Sequence, residues 1–255
     1  MVVFLSVVYA IYWFAACALL VPLAAILALL SPIFDPDKRT LKRFCDAYTY
    51  RVCTGVSPFW TFSFEGLTNL DSGGPFVMVA NHQSLADIVV LSNIRHHFRW
   101  VAKQSIFCVP FLGCIMSLNG HVAIHRGTVS SARHMLEQCS QLLNRGISVM
   151  MFPEGTRSPD GKVHDFKDGP FRLAVRNGVA VVPIAIVGTS DLVAKGSIKM
   201  NFHARVTVKI LPPVAVASYQ GNSAELRNHV HALIEQAVEE MRSRNVRVET
   251  AVAAS

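Results

Sequence analysis

A polar break, Asn81-His82-Gln83-Ser84-Leu85-Ala86-Asp87, separates two apolar runs of this chain. The run before it is Phe76-Val77-Met78-Val79-Ala80, which is rich in strand formers, and the run after it is Ile88-Val89-Val90-Leu91. This succession predicts a buried strand, a loop at its end and a helix that begins in the loop.

His82 and Asp87 lie five positions apart in this break, and the spacing limits where each can be. Residues five apart point about 140° away from each other on an α-helix, so the two side chains cannot meet in mid-helix. They can meet if His82 lies in the loop and Asp87 in the first helical turn. Ser84 then suits the N-cap, and Asp87 the third helical position, where the helix dipole favours a carboxylate.

Two interpretations of this pair stay open on these residues alone. In the first, Ser84-x-x-Asp87 is a variant capping box and His82 is an ordinary loop histidine. In the second, Asp87 fixes the tautomer of an imidazole, a group whose ordinary pKa of about 6.5 lets it take a proton from an alcohol. General-base help of that kind accelerates a reaction by roughly 10²–10⁴.

The composition indicates that part of the protein lies in lipid. Of the 255 residues, 51% are hydrophobic, and the mean hydropathy of +0.36 is high for a soluble protein. The formal net charge of +7 favours an anionic partner, and the apolar segment described next favours a lipid over nucleic acid. The cysteines have no metal-binding spacing and predict reduced, buried thiols; they are residues 17, 45, 53, 108, 114 and 139.

Residues 1–34 contain no Asp, Glu, Lys, Arg or His. The segment exceeds the roughly 20 apolar residues that cross a bilayer, and it lacks the basic start of a secretory signal. Pro22 interrupts it near the middle, so a kinked span and a re-entrant hairpin both stay open.

The flank that follows, Asp35 to Arg43, is basic on balance and next to the membrane segment. That position predicts the cytoplasmic side, with an active site that faces the cytoplasm as at a bacterial inner membrane. Residues 37–55 predict an interfacial helix, because Leu41, Cys45 and Tyr48 recur at helical spacing. An ordinary helix that covers the core is the alternative.

From Phe59 onward, strands and helices alternate. We expect strands at 59–64, 76–80, 98–101, 121–125, 147–152, 180–187 and 204–211, and helices at 84–95, 110–118, 128–144, 169–177 and 223–243. The pattern predicts an α/β fold, a mixed and mostly parallel sheet covered by helices. Three parts follow: a membrane-anchoring segment at 1–57, an α/β domain at 58–245 and a disordered tail at 246–255.

A second polar stretch, Phe152-Pro153-Glu154-Gly155-Thr156-Arg157-Ser158, follows another predicted strand. Ligand loops in α/β folds gather at the carboxyl ends of strands. Gly155 would allow close approach of a ligand, Thr156 offers a hydroxyl, and the Arg157 guanidinium matches phosphate oxygens. A solvated turn with an Arg–Glu surface pair is the alternative.

Three further features lie between and beyond these stretches. The short strand from Gly120 would deliver Arg126 to the same edge, and Lys103 would add a positive charge there or be an ordinary surface lysine. His121 and His125 are four apart but lack acidic or thiol ligands nearby, so a metal site is not expected. A proline inside Val182-Pro183-Ile184 predicts an edge strand, a bulge or a strand start.

Four blocks in this order resemble those of the glycerolipid acyltransferases of the lysophosphatidate acyltransferase type. They are His82-x4-Asp87 after Asn81, Gly120 to Arg126, Phe152 to Ser158, and Val182-Pro183-Ile184. The resemblance covers residues 75–190, and the ordered combination is far more specific than any one block. His125 departs from the pattern, since the family commonly has Asp at that place.

The resemblance implies a role for each block. His82 would deprotonate the acceptor hydroxyl, which attacks an acyl thioester directly, and Asp87 would orient the imidazole. The implied binding set for the acceptor phosphate and glycerol is Lys103, Arg126, Glu154, Gly155, Thr156 and Arg157. The family's membrane-docking helices are similar to residues 1–55 and favour a monotopic hairpin over a single span.

We therefore expect a membrane enzyme that moves a fatty acyl group from acyl-CoA or acyl carrier protein to a lysophospholipid. The first expected acceptor is 1-acyl-sn-glycerol-3-phosphate, which gives phosphatidic acid. Another lysolipid is the alternative acceptor. No metal or other cofactor is expected.

Two other functions are kept as rivals. In a hydrolase, Ser84 or Ser158 would form an acyl-enzyme with His82, although the chain has no Gly-x-Ser-x-Gly elbow. In a non-catalytic lipid-binding membrane protein, the four blocks would only bind phosphate.

Overall fold

In the described part of the computed structural model of this chain, seven strands form one sheet in the order β1-β7-β6-β2-β5-β3-β4. The structure describes residues 2–55, 60–71, 73–125, 127–192, 201 and 203–253. The strands are β1 (Trp60–Glu65), β2 (Val77–Ala80), β3 (Phe98–Lys103), β4 (Val122–Ile124), β5 (Ser148–Met151), β6 (Val181–Val187) and β7 (Ala204–Ile210). All neighbouring pairs are parallel except β6 and β7. The prediction of a mixed, mostly parallel sheet is confirmed.

Helices cover the sheet on both faces. They are α1 (Val2–Phe34), α2 (Arg39–Thr54), α3 (Ala86–Leu91), α4 (Gln104–Phe107), α5 (Leu112–Leu118), α6 (Val129–Asn144), α7 (Gly169–Asn177), α8 (Thr189–Leu192) and α9 (Ser223–Ala253). Successive residues of β2 point to opposite faces, so Val77 and Val79 join the core under α6, α7 and α9. Met78 and Ala80 join the core on the α3 side. Because both faces are buried, the central strands are apolar at nearly every position.

β6 lies inside the sheet, so Pro183 does not mark an edge strand. It lies where the pairing shifts register by one residue, between the bridge of Val181 with Val214 and the β7 ladder from Ile184, which agrees with the alternative of a bulge. Pro183 pairs with Val79 of β2 on one side. On the other side its carbonyl accepts the Leu211 N–H at 2.9 Å, and the ladder with β7 begins only at Ile184. The missing N–H of the proline therefore costs the sheet little, because the β7 ladder has ended beside it.

α1 is one continuous helix through Pro22, so a hairpin inside residues 1–34 is not what forms. Leu20 and Ala24, on either side of the proline, are buried against α2 and α5 and hold the helix together. The 31 residues from Phe4 to Phe34 are long and apolar enough to cross a membrane, with a mean hydropathy of 2.5 in their most apolar window. Most of the large apolar side chains of α1 are exposed.

α2 runs back along α1 and makes a helical hairpin of residues 2–54. The Tyr9 hydroxyl donates to the Cys53 carbonyl at 3.1 Å, and the Tyr48 hydroxyl donates to the Ala16 carbonyl at 3.0 Å. Leu41 and Cys45 are buried on one side of α2. This burial agrees with the alternative in which residues 37–55 form an ordinary helix that covers the core. The expected domain boundary at 57/58 lies outside the described residues.

An ion pair within α2 lies against the sheet. The Lys42 ammonium donates to the Asp46 carboxylate and lies 3.8 Å from the centre of the Phe98 ring. Lys42 is only 2% exposed. Burial lowers the pKa of Lys42 and raises that of Asp46, and the charge of each partner opposes the shift of the other.

The tail expected at 246–255 is helical in the described part, since α9 continues to Ala253. The sequence after Met241 contains no Gly or Pro, so nothing in it ends the helix at residue 245. Residues 254 and 255 lie outside the described residues.

We predict that Lys42→Met destabilises the fold by about 3 kcal/mol, because removing one partner leaves the Asp46 charge buried and unpaired. Thermal or urea unfolding of the detergent-purified protein measures it. The double change Lys42→Met with Asp46→Leu should recover most of the loss. The matched control is Lys209→Met, which breaks an exposed pair with Glu240 and should cost about 0–1 kcal/mol. Equal losses in the two lysine variants would contradict the prediction.

Candidate active site

Two loops emerge side by side at one edge of the sheet, because β2 and β5 are parallel neighbours. Val79 pairs with Met151, so the chain leaves both strands at the same level. The first loop carries His82, and the second carries residues 152–158. The carboxyl ends of parallel strands are where α/β folds place their ligand sites.

His82 and Asp87 are in direct contact. The Nδ1 atom of His82 lies 2.7 Å from Oδ2 of Asp87. The same oxygen accepts the main-chain N–H groups of Gln83 at 2.8 Å and Ser84 at 3.0 Å. An acceptor oxygen of this kind places the ring proton on Nδ1 and leaves Nε2 able to take a proton. Asp87 thus does what both interpretations describe, since it caps the loop and orients the ring.

The helix begins later than expected, and Ser84 is not its N-cap. Leu85 is the N-cap and Asp87 the second residue of α3. The hydroxyl of Ser84 instead accepts the Ala86 N–H at 3.3 Å. The Asp87 carboxylate turns back and accepts the N–H groups of Gln83 and Ser84, which precede the helix.

The loop after β5 holds His82 from its other sides. The Phe152 ring stacks on the imidazole, with ring centres 4.0 Å apart and planes 12° apart. The Ser158 N–H donates to the His82 carbonyl at 2.7 Å, and Oε1 of Glu154 accepts the His82 N–H at 2.8 Å. Trp100 stacks on the far face of this aromatic pair, against Phe152. Phe152 belongs to the predicted ligand loop, but its stacking on the imidazole was not predicted from the sequence.

Glu154 is buried, unlike an ordinary loop carboxylate. Its side chain is 6% exposed, and Oε2 has no hydrogen-bond partner among the described residues. Burial raises the pKa of Glu154 to about 7, and the nearby Asp87 charge adds to the rise. The main-chain N–H groups of His82 and His164 oppose it.

A cavity of about 1050 Å³ opens beside His82, between the sheet and α1. Its wall brings together four of the residues singled out from the sequence: His82, Lys103, Thr156 and Arg157. The remainder of the lining is mainly apolar and includes Tyr9 and Phe14 of α1 and Ile88 of α3. A charged rim at one end of an apolar cavity suits an amphipathic ligand.

Glu154 and Gly155, two other expected binding residues, are not among the described residues that line the cavity. Arg126 falls outside the described residues. Gly155 has a φ of +73°, which favours glycine, and the Lys167 ammonium lies 2.8 Å from the place of a Cβ at that position. Lys167 was not singled out from the sequence, where it reads as part of an architectural turn.

Two polar side chains tie the first loop to the rest of the fold. Asn81 mimics a strand residue: its amide nitrogen donates to the Ile186 carbonyl at 2.9 Å, and its amide oxygen accepts the Ile186 N–H at 2.8 Å. The Gln83 amide donates to the Gly161 carbonyl at 3.1 Å. These bonds position the loop relative to β6 and to the segment after residue 158.

The side chains considered for rival chemistry do not converge on the cavity. Ser84 and Ser158 are buried, at 0% and 3% exposure, and the Ser158 hydroxyl donates to Asp160 at 2.8 Å. His121 accepts the Trp100 N–H through Nδ1 at 3.2 Å, while His125 is exposed. Within the described ranges, no three His, Cys, Asp or Glu side chains are grouped so that they could hold a metal ion.

Comparison with known proteins places these loops in a family. Residues 61–187 match the model of the family described as Acyltransferase. The chain is 33% identical over 177 residues to the 1-acyl-sn-glycerol-3-phosphate acyltransferase of Escherichia coli, a match that covers 68% of this chain and 71% of that protein. The chain belongs to this acyltransferase family.

Two further comparisons extend the match. The chain is 39% identical over 183 residues to the chloroplastic 1-acyl-sn-glycerol-3-phosphate acyltransferase of Arabidopsis thaliana. That match covers 71% of this chain but only 51% of the plant protein, so the chain spans about half the length of that relative. The crystal structure of the 1-acyl-sn-glycerophosphate acyltransferase from Thermotoga maritima superposes with a TM-score of 0.79 at 27% identity, covering 95% of this chain and 98% of that one.

We predict that Glu154→Gln changes the pH dependence of the stability of this protein. In the folded protein Glu154 keeps a proton that the unfolded chain releases at lower pH, since its pKa rises from 4.5 to about 7. The wild type therefore loses stability as pH rises through that window, by on the order of 2–3 kcal/mol in total. The glutamine variant lacks this loss.

Unfolding free energies of both proteins at pH 5, 6, 7 and 8 test the prediction. The control is Glu137→Gln, on an exposed carboxylate that pairs with Arg176 on the surface. Curves for the wild type and Glu154→Gln that run parallel across this range would contradict it.

Proposed function

We propose that this protein is a 1-acylglycerol-3-phosphate O-acyltransferase. It transfers a fatty acyl group from acyl-CoA or acyl carrier protein to the free hydroxyl of 1-acyl-sn-glycerol-3-phosphate and yields phosphatidic acid. The observation that carries the proposal is the His82–Asp87 pair in the wall of a cavity with cationic groups at one end and an apolar lining beyond.

The chemistry is general-base catalysis of direct acyl transfer. Nε2 of His82 takes the proton of the acceptor hydroxyl while the oxygen attacks the thioester carbonyl carbon. A C–O bond forms, the C–S bond breaks, and the thiolate leaves with the proton carried by the imidazolium. Asp87 keeps Nδ1 protonated and stabilises the positive ring in between. No acyl-enzyme is needed, and the thioester donor is a co-substrate, so the reaction requires no cofactor.

The cationic end of the cavity binds the acceptor phosphate. Lys103 ends β3, and Arg157 lies in the loop after β5, so neighbouring parallel strands deliver both to the same edge. The Thr156 hydroxyl adds a hydrogen bond, and Arg126 joins them by the resemblance. An arginine fork and an ammonium suit a phosphate monoester better than a zwitterionic headgroup.

The apolar part of the cavity takes a fatty acyl chain. Residues of α1 form one wall, and α1 also exposes large apolar side chains on its outer surface, among them Phe4, Ile11 and Leu19. The protein therefore sits at a membrane, where both its substrate and its product reside. We place the site on the cytoplasmic face, where the thioester donors are made and where the basic flank of α1 belongs.

His82→Ala is expected to lower acyl transfer by about 10²–10⁴, because the general base is lost. Free thiol is followed after mixing the purified protein with acyl-CoA and either lysophosphatidate or lysophosphatidylcholine. The control is His125→Ala, on an exposed histidine that does not line the cavity. Full activity of His82→Ala would refute the mechanism. Faster thiol release with the zwitterionic lysolipid would refute the acceptor but keep the reaction class.

Arg157→Gln should raise the KM for lysophosphatidate by about 10–100-fold, since a charged hydrogen bond contributes about 1.5–3 kcal/mol. The kcat should change much less, because the reacting atoms remain in place. Initial rates over a range of acceptor concentrations separate the two constants. Arg176→Gln, on the surface of α7, serves as the matched control. An unchanged KM would remove Arg157 from the binding set.

A further inference from the structure

Glu154 belongs to the block that the resemblance assigns to acceptor binding, but its contacts lie inside the protein. It is 6% exposed and is not among the described residues that line the cavity. Oε1 accepts the His82 N–H, and Oε2 is buried without a partner in the described part of the chain. A glutamate that binds the acyl acceptor would need its carboxyl to face the cavity.

We propose that Glu154 is a positioning residue, which holds the main chain of His82 so that the imidazole faces the cavity, and that it does not bind the acceptor. The inference rests on the proposed acyl transfer and assigns a task within that site. Glu154 acts through His82 and touches no reacting atom.

The hold on His82 has three points on one loop. Glu154 binds the main-chain N–H, the Ser158 N–H binds the main-chain carbonyl at 2.7 Å, and Phe152 covers one face of the ring. Asp87 fixes the ring edge from α3. Glu154 supplies the side-chain acceptor in this hold, so a truncation there frees the peptide before His82. A displacement of about 1 Å at a reacting group can cost about 10²-fold in rate.

The charge around Glu154 explains why an amide can replace it. The titratable groups near its carboxyl are His82, Asp87 and His164, with the Lys167 ammonium beyond Gly155. Burial raises the pKa of Glu154 to about 7. Near neutral pH a large fraction of the protein molecules therefore carry this carboxyl in its protonated, uncharged form. A neutral carboxyl and a glutamine amide both present a carbonyl oxygen to the His82 N–H.

The test compares Glu154→Ala and Glu154→Gln in the full-length, detergent-purified protein, with acyl-CoA and lysophosphatidate at pH 7. We expect the alanine variant to lose about 10²-fold in kcat with its KM for lysophosphatidate within about twofold. We expect the glutamine variant to keep kcat within about fivefold of wild type, because the acceptor oxygen remains. The control is Glu137→Gln, on an exposed carboxylate that pairs with Arg176 away from this loop, and it should leave both constants near wild type.

A KM that rises while kcat stays constant, in either Glu154 variant, would overturn the inference, since that result is expected of a residue that binds the acceptor. Glutamine as impaired in kcat as alanine would overturn it as well. If Glu154→Ala does not fold, the glutamine constants decide alone. Wild-type protein without thiol release on any lysolipid would refute the proposed function instead.

A measurement without substrate distinguishes a failure of this inference from a failure of the proposed function. The amide signal of His82 in an isotope-labelled sample is followed by NMR from pH 5 to pH 9. If Glu154 binds this N–H, the wild type shows a step near pH 7, the value to which burial raises the pKa of Glu154, and Glu154→Gln lacks it. Identical titrations in the two proteins would overturn the inference whatever the enzyme does.

Discussion

The buried carboxylate of Asp87 is the group on which the site is built. One oxygen accepts three donors, the ring N–H of His82 and the N–H groups of Gln83 and Ser84. A charge that is 0% exposed costs several kcal/mol unless donors surround it. The loop after β2 therefore stabilises the protein by folding around this oxygen, because its donors offset the cost of the buried charge. The same geometry that stabilises the loop fixes the ring, so stability and chemistry depend on one contact.

The parallel pairing of β2 and β5 supplies the second constraint. Since their ends lie at one level, the loop after β5 meets His82 with a ring, a carboxyl and a main-chain N–H. An antiparallel neighbour would place its following loop at the opposite edge of the sheet. Blocks that are far apart along the chain therefore form one cluster only because crossover connections make their strands parallel neighbours. One such connection contains α6, which lies between β4 and β5 in the chain and covers one face of the sheet.

The sequence predicted what depends on local pattern and missed what depends on tertiary packing. Alternating apolar runs and turns were enough for the sheet class and for the strands, because burial on both faces leaves a continuous apolar run. Helical spacing allowed the contact of His82 with Asp87 but left it as one of two interpretations. The start of α3 at Ala86 was not predicted, because it depends on hydrogen bonds of Ser84 and Asp87 within the loop. The central place of Pro183 depended on where β7 ends, which no local pattern states.

The inward orientation of Glu154 shows the same limit at the site itself. A Pro-Glu-Gly turn is ordinarily solvated, and only the neighbouring loop turns its carboxyl inward to the His82 N–H. Phe152 was likewise invisible as a partner of the imidazole, because stacking joins residues 70 positions apart in the sequence. Residue types in these blocks could be recognised, but which of them face the cavity is decided by the fold.

The membrane segment is part of the site rather than an attachment to it. Residues of α1 from Ser6 to Phe14 line the cavity, and the Tyr9 ring lies edge-on to Trp60 with centres 6.1 Å apart. The Tyr9 hydroxyl also binds the Cys53 carbonyl, which locks α1 to the end of α2 beside the cavity. α1 therefore lines the apolar cavity with one face and exposes large apolar side chains on its outer surface. Under the proposed function, the position of α1 would set both where the protein meets the membrane and what shape of acyl chain the cavity accepts.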